Sequence, residues 1–229
     1  MHFLLDTADV EAIRAACAVF PVAGVTTNPS NVAREAAQLR ELIAEIRAIL
    51  GPDRSLHVQV VAADAEEMLA EARLLAELVG PGFCCKVPVT RDGLAAIGRI
   101  VAAGMTATAT SVSSLGQALL AARAGAAYLI PYVNRVDVAE GPGAGAALVG
   151  EIVAAFRLHA IETRLIAASV KTVEQVRACA IAGAWACTLP VDVLEAVAHH
   201  LLTDAAVPAF ARDWEAAYDG LRVDAPWRG

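Results

Sequence analysis

The chain has 229 residues, of which 57% are hydrophobic, 19% charged and 5% aromatic, and its formal charge is −7. Such a composition excludes a disordered chain, and an acidic protein without a basic stripe is a poor partner for nucleic acid. One Ala/Val/Leu core is enough for this length, because barrels of alternating strands and helices commonly take roughly 200 to 250 residues as one unit.

The first apolar run, His2 to Asp6, reads as a strand and starts without the basic region, apolar segment and cleavage site of a secretory leader. A cytoplasmic enzyme is therefore expected. Further strand candidates follow at Gly24 to Asn28, Leu56 to Ala62, Phe83 to Val89, Met105 to Ser111, Ala127 to Val133, Arg164 to Ser169 and Trp185 to Pro190. Amphipathic stretches such as Asn31 to Leu50 and Asp64 to Val79, with apolar residues three and four apart, read as helices between them. Three segments, IVAAGMTATAT from 100, AARAGAAYLIPYV from 121 and AIAGAWACTLPV from 180, repeat one grammar of helix, tight turn and strand. Gly104, Gly125 and Gly183 are suited to the left-handed position that closes each helix. Continuous apolar strands alternating with helices imply a parallel sheet, and eight units predict a closed (β/α)8 TIM barrel, with an open doubly wound sheet as the alternative.

The longest uncharged stretch, Ile100 to Ala122, is interrupted by Thr106, Thr108, Thr110, Ser111, Ser113, Ser114 and Gln117, so no membrane span is expected. The Gly-rich GPGAGAA at 141 to 147 lacks the Gly-Lys-Ser/Thr ending of a phosphate loop and reads as a flexible lip. Five cysteines, at 17, 84, 85, 179 and 187, form no C-x-x-C pair and suit neither a disulfide framework nor a thiolate zinc site. His199 and His200 are adjacent, do not share a helix face and make a poor metal pair. A last helix, about Asp204 to Tyr218, exceeds what eight units need and carries Phe210 and Trp214 as an apolar pair. Residues 1–220 read as one domain and 221–229 as a mobile tail.

Only two lysines occur, Lys86 and Lys171, against sixteen arginines, and each lies at or just past the carboxyl end of a strand candidate. A guanidinium stays protonated, whereas an amine buried among apolar neighbours can lose its proton and attack a carbonyl. Phe83, Cys84, Cys85, Val87 and Pro88 surround Lys86 in sequence and make it the candidate nucleophile. In a barrel, active groups belong at the carboxyl ends of the strands. Polar residues gather there: Asp6; Thr26, Thr27 and Asn28; Gln59; Thr108 and Thr110; Tyr132, Asn134 and Arg135; Ser169 and Lys171.

GVTTNPS at 24 to 30, KVPVT at 86 to 90, PYVNR at 131 to 135 and AASVKT at 167 to 172 together resemble the small transaldolase family over nearly the whole chain. Gln59 and Tyr132 resemble its fructose-6-phosphate aldolase branch, since transaldolases proper usually carry glutamate and phenylalanine at the matching positions. The resemblance implies a class I mechanism without metal or cofactor, with Lys86 as the Schiff-base nucleophile and Asp6 and Asn28 holding donor hydroxyls. It implies that Gln59, Thr110 and Tyr132 hold a catalytic water, and since a glutamine cannot titrate, Tyr132 becomes the acid/base. Thr27 and Thr108 join the substrate-binding group, and Arg135, Ser169 and Lys171 resemble the anion site for the far phosphate, where a guanidinium fork, a hydroxyl and a second cation suit a dianion. The resemblance further implies small-molecule sugar phosphates as partners and a homo-oligomer, pentamer or decamer. Four positions depart from the aldolase pattern: His57 for an aromatic, Thr108 for an apolar residue, Ile130 for a small one and Ser113 for a bulkier one. Transaldolase, or a relative accepting a sulfonated sugar, is the alternative activity. A non-catalytic sugar-phosphate binding barrel, with Lys86 locked in an ion pair to Asp6, is the alternative of another class.

Overall fold

A computed structural model describes residues 1–35 and 37–223. Eight parallel strands close into a ring in chain order: β1 His2–Asp6, β2 Val22–Thr26, β3 Ser55–Gln59, β4 Phe83–Pro88, β5 Ala107–Val112, β6 Tyr128–Pro131, β7 Arg164–Ala167 and β8 Ala186–Leu189, which pairs back onto β1. The closed (β/α)8 barrel is thus the observed fold, and the open sheet is excluded. Helices α1 Val10–Val19, α2 Pro29–Arg34, α3 Leu39–Leu50, α4 Ala65–Val79, α5 Arg91–Ala102 and α6 Leu115–Arg123 accompany the first five strands. Helices α7 Val133–Glu140, α8 Ala144–Leu158, α9 Val173–Ala182, α10 Val191–Ala198 and α11 Leu201–Tyr218 follow.

Side chains alternate across each strand. One set, including Leu5, Val25, Leu56, Val87, Ala109, Leu129 and Leu189, is buried, as are the stripes of the outer helices, for example Ile43 and Ile46 of α3 and Ile97 and Ile100 of α5. Burying each such branched side chain contributes about 1.5–3 kcal/mol. The other set faces the barrel interior, where Leu4, Ile130, Ile166, Ala168 and Ala186 form an apolar cluster on one side. Helix starts are fixed by side chains that accept a backbone N–H, among them Asp9, Asn28, Asp64, Thr90, Ser114 and Thr172. The three glycines singled out in the repeated segments adopt φ of +81° at Gly104, +100° at Gly125 and +93° at Gly183, the left-handed turn that a side chain would strain.

Two expectations need correction. The helix over Asn31 to Leu50 is two helices, α2 and α3. The buried stripe Leu42, Ile43, Ile46 and Leu50 belongs to α3 alone, whereas α2 buries no residue and starts from its own cap at Asn28. The Gly-rich 141 to 147 is not a lip throughout, because α8 begins at Ala144. Gly145 packs against the backbone of Val133, where a Cβ would come within 2.3 Å of the carbonyl oxygen, and its N–H donates to Asp137 at 2.8 Å. Close helix contact is the reason for that glycine.

The chain divides into two compact units, Met1–Val193 and Leu194–Gly229. The first holds the barrel strands. Within the second, α11 is capped by His200, whose Nδ1 accepts from the Leu202 N–H at 3.2 Å. Trp214 stacks on Tyr218 at 4.4 Å rather than on Phe210, which is exposed. Its indole N–H donates to the Leu221 carbonyl at 2.7 Å. The rest of the expected mobile tail, residues 224–229, lies outside the described residues. The five cysteines are free thiols. Among the described residues no helix is long and apolar enough to cross a membrane.

Candidate active site

A cavity of about 760 Å3 opens at the carboxyl ends of the strands, and Asp6, Asn28, Gln59, Lys86, Tyr132, Arg135, Ser169 and Lys171 all line it. Lys86 comes from the middle of β4 and is 3% exposed. Its Nζ donates to the Thr27 carbonyl oxygen at 2.7 Å, and the Thr27 N–H in turn donates to the His57 carbonyl at 2.9 Å. The loop after β2 thus fixes where the amine sits. Burial pushes the Lys86 ammonium down to about 8, with the Asp6 carboxylate opposing the shift. An amine so placed is neutral in roughly a tenth of molecules at pH 7, far more than an ordinary lysine, and can attack a carbonyl.

Asp6 ends β1 and forms no ion pair with that amine. Instead the Asp6 Oδ1 accepts from Asn31 Nδ2 at 3.0 Å and from Asn28 Nδ2 at 3.4 Å. Asn28 also caps α2 by accepting the Asn31 backbone N–H at 3.0 Å. A lysine locked to an aspartate is therefore not what the barrel contains.

Across the cavity, the Tyr132 hydroxyl lies 3.3 Å from both Thr110 Oγ1 and Ser111 Oγ. Thr110 is fully buried and not part of the cavity wall, whereas Ser111 lines it. The Gln59 side-chain oxygen is buried and has no hydrogen-bond partner among the described residues, so an acceptor is left for whatever enters beside Lys86. The Arg135 guanidinium rests 4.5 Å above the centre of the Tyr132 ring. That contact restrains both side chains.

Ser169 and Lys171 reach the cavity from the loop between β7 and α9. Gln175 of α9 organises that loop: its Oε1 accepts from the Lys171 N–H at 2.7 Å, and its Nε2 donates to Asn134 at 3.2 Å and Asp137 at 2.7 Å. Asn134 is thereby a tie between α7 and α9 and not a wall residue. Ser111 on β5 and Ser169 after β7, on either side of β6, have left-handed backbones, with φ of +61° and +57°. Holding a serine there costs on the order of 1–3 kcal/mol, and such strain clusters at functional sites.

Thr27 and Thr108, expected to meet the substrate, have fully buried side chains outside the cavity wall. Thr108 Oγ1 is instead 2.9 Å from His57 Nδ1, while His57 Nε2 is 3.0 Å from Ser55 Oγ. Burial and, secondarily, the nearby Lys86 push the His57 imidazolium down to about 3, so the ring is neutral. Sequence reasoning missed Asn31 and Ser111. Asn31 follows the GVTTNPS motif and looked like the start of a long helix. Ser111 should face away from Tyr132 by strand alternation, and its left-handed backbone turns it back.

A closed barrel with a polar cavity at the carboxyl ends of its strands and a buried, unpaired lysine in the wall has the architecture of a (β/α)8 barrel enzyme. The chain matches the transaldolase/fructose-6-phosphate aldolase family over residues 3–223, and it belongs to that family. That family is one of transaldolases and fructose-6-phosphate aldolases. Solved structures share the fold at low identity. A structure described as native KDPGal matches at 21% identity with a TM-score of 0.56, over 83% of this chain and 82% of that one. A mandelate oxidase mutant with an FMN adduct matches at 15% identity and a TM-score of 0.57, over 83% of this chain but only 64% of the other. A designed porous cage made by fusing symmetric oligomeric domains matches at 17% identity and 0.58, over 94% of this chain and 77% of that one.

Proposed function

We propose that the chain is a class I aldolase that cleaves or forms a ketose phosphate such as fructose 6-phosphate through an imine on Lys86, with dihydroxyacetone and glyceraldehyde 3-phosphate as the halves. The carrying observation is the Lys86 amine, almost completely buried in the cavity wall, held by the Thr27 carbonyl and not paired to Asp6. The neutral amine attacks the ketose C2, and loss of water from the adduct gives the iminium. The iminium then takes up the electron pair of the C3–C4 bond while the C4 hydroxyl proton leaves, which releases the aldehyde and leaves an enamine on Lys86. Tyr132 relays that proton through a water that donates to the Gln59 oxygen, while the hydroxyls of Thr110 and Ser111 hold the Tyr132 hydroxyl in place. Protonation of the enamine carbon and hydrolysis of the imine return the amine and free dihydroxyacetone. In the transaldolase variant an acceptor aldehyde meets the enamine first.

Asp6 Oδ2, which has no partner among the described residues, and Asn28 hold donor hydroxyls. Arg135, Ser169 and Lys171 hold the far phosphate; two cations and a hydroxyl at one end of the cavity suit a dianion. Incubation with fructose 6-phosphate or dihydroxyacetone plus borohydride, followed by peptide mass analysis, tests the reading. A reduced adduct on Lys86 that disappears in Lys86→Arg is expected; intact ligand binding without an adduct would favour a passive binding barrel. A donor panel with and without an acceptor aldehyde, scored for free dihydroxyacetone, separates aldolase from transaldolase.

A further inference from the structure

Asn31 lies outside every motif that carries the family resemblance, yet its side-chain amide makes the shorter of the two hydrogen bonds to Asp6, 3.0 Å against 3.4 Å from Asn28. Both amides donate to the same oxygen, Oδ1. A carboxylate tied through one oxygen by two neutral donors keeps its charge and loses its freedom to swing. Asp6 on β1 and Lys86 on β4 line the same cavity and the aspartate's charge already acts on the amine, so an unanchored carboxylate would be drawn toward it. The short helix α2 exists as a unit separate from α3, and its cap at Asn28 puts the Asn31 amide beside β1.

We propose that Asn31 is a positioning residue for the reaction: it anchors Asp6 away from Lys86, so that the amine stays unpaired and the second carboxylate oxygen stays open to a donor hydroxyl. The inference rests on the Schiff-base reading of Lys86. The charged and titratable groups that face Lys86 are Asp6 from β1, His57 from β3 and Tyr132 after β6. Farther out on the same cavity are Arg34 and Glu35 after β2, Arg135 on α7, Lys171 after β7 and Asp192 on α10. Of these, Asp6 is the carboxylate that acts on Lys86, and it acts to keep the proton on. His57 is neutral and cannot offset a closer Asp6.

The test is the pH dependence of borohydride trapping of dihydroxyacetone, measured on the full chain for wild type, Asn31→Ala, Asn31→Leu, Asp6→Asn and the double variant Asp6→Asn/Asn31→Ala. Releasing Asp6 onto the amine should raise the trapping midpoint by about one unit or more in either Asn31 variant. At pH 7 that is about a tenfold loss of trapping, recovered at higher pH. In the Asp6→Asn background the Asn31 change should no longer move the midpoint. A stability defect without a midpoint shift, or a shift that persists without the Asp6 carboxylate, would overturn the proposal. Asn31→Leu retains side-chain volume and serves if Asn31→Ala does not fold. Absence of any adduct in wild type would instead remove the Schiff-base reading, so the two failures are distinct.

Discussion

Two rings of polar side chains lie one above the other inside the barrel, and they differ in whether their partners are already present. In the lower ring, His57 is bracketed by Ser55 and Thr108, and Thr26 Oγ1 is 2.8 Å from Thr188 Oγ1. In the upper ring, the Gln59 oxygen has no partner, Asp6 keeps one oxygen open and Lys86 has only a backbone carbonyl. Each ring contains a buried, strongly shifted base, His57 in the lower and Lys86 in the upper. Burial and a shifted pKa therefore do not mark the working groups by themselves; open hydrogen-bonding capacity facing a cavity does.

The largest expected effect belongs to the upper ring: Lys86→Arg should abolish turnover and imine trapping, measured by product release and peptide mass, because a guanidinium cannot form the imine. Next, Tyr132→Phe should slow turnover by about 10²-fold while trapping persists; unchanged turnover would assign the proton relay elsewhere. For the lower ring the readout should be stability. Thr188→Val strands the Thr26 hydroxyl and should cost about 1–3 kcal/mol in denaturant unfolding with turnover unchanged. A comparable loss of activity would break the contrast between the rings.

The smallest effect per step is the acid sensitivity of His57. The unfolded imidazole takes a proton near 6.5 and the folded one near 3, so the unfolded chain binds more protons between those values. Stability from this group should fall by about 1.4 kcal/mol per pH unit below 6.5, and His57→Phe should remove that slope. Lys86 acts at the other end, with its folded value near 8 and its ordinary one at 10.5. The unfolded chain again binds more protons in that window, so this group raises stability as pH climbs from 8 to 10.5.

The barrel was legible because most strands read as short, largely apolar runs and three helices close on glycines that the turn requires. The lysine was legible because lysine is rare here and arginine is not. The lower ring was not, since Thr108 on a strand looks the same in sequence whether it meets a substrate or an imidazole two strands away. Asn31 and Ser111 were hidden for local reasons. The first depends on where a helix breaks, and the second on a left-handed residue that overrides strand alternation. Both are decided by tertiary contacts rather than by pattern.

The central claim is that burial in the barrel keeps an unpaired amine at residue 86 reactive near neutral pH. Borohydride trapping of dihydroxyacetone on wild type, quantified at Lys86 from pH 6 to 10, measures it directly. Trapping should rise about tenfold per unit and level off near pH 8. A midpoint near 10.5, the ordinary lysine value, or an adduct on Lys171 in place of Lys86, would contradict it.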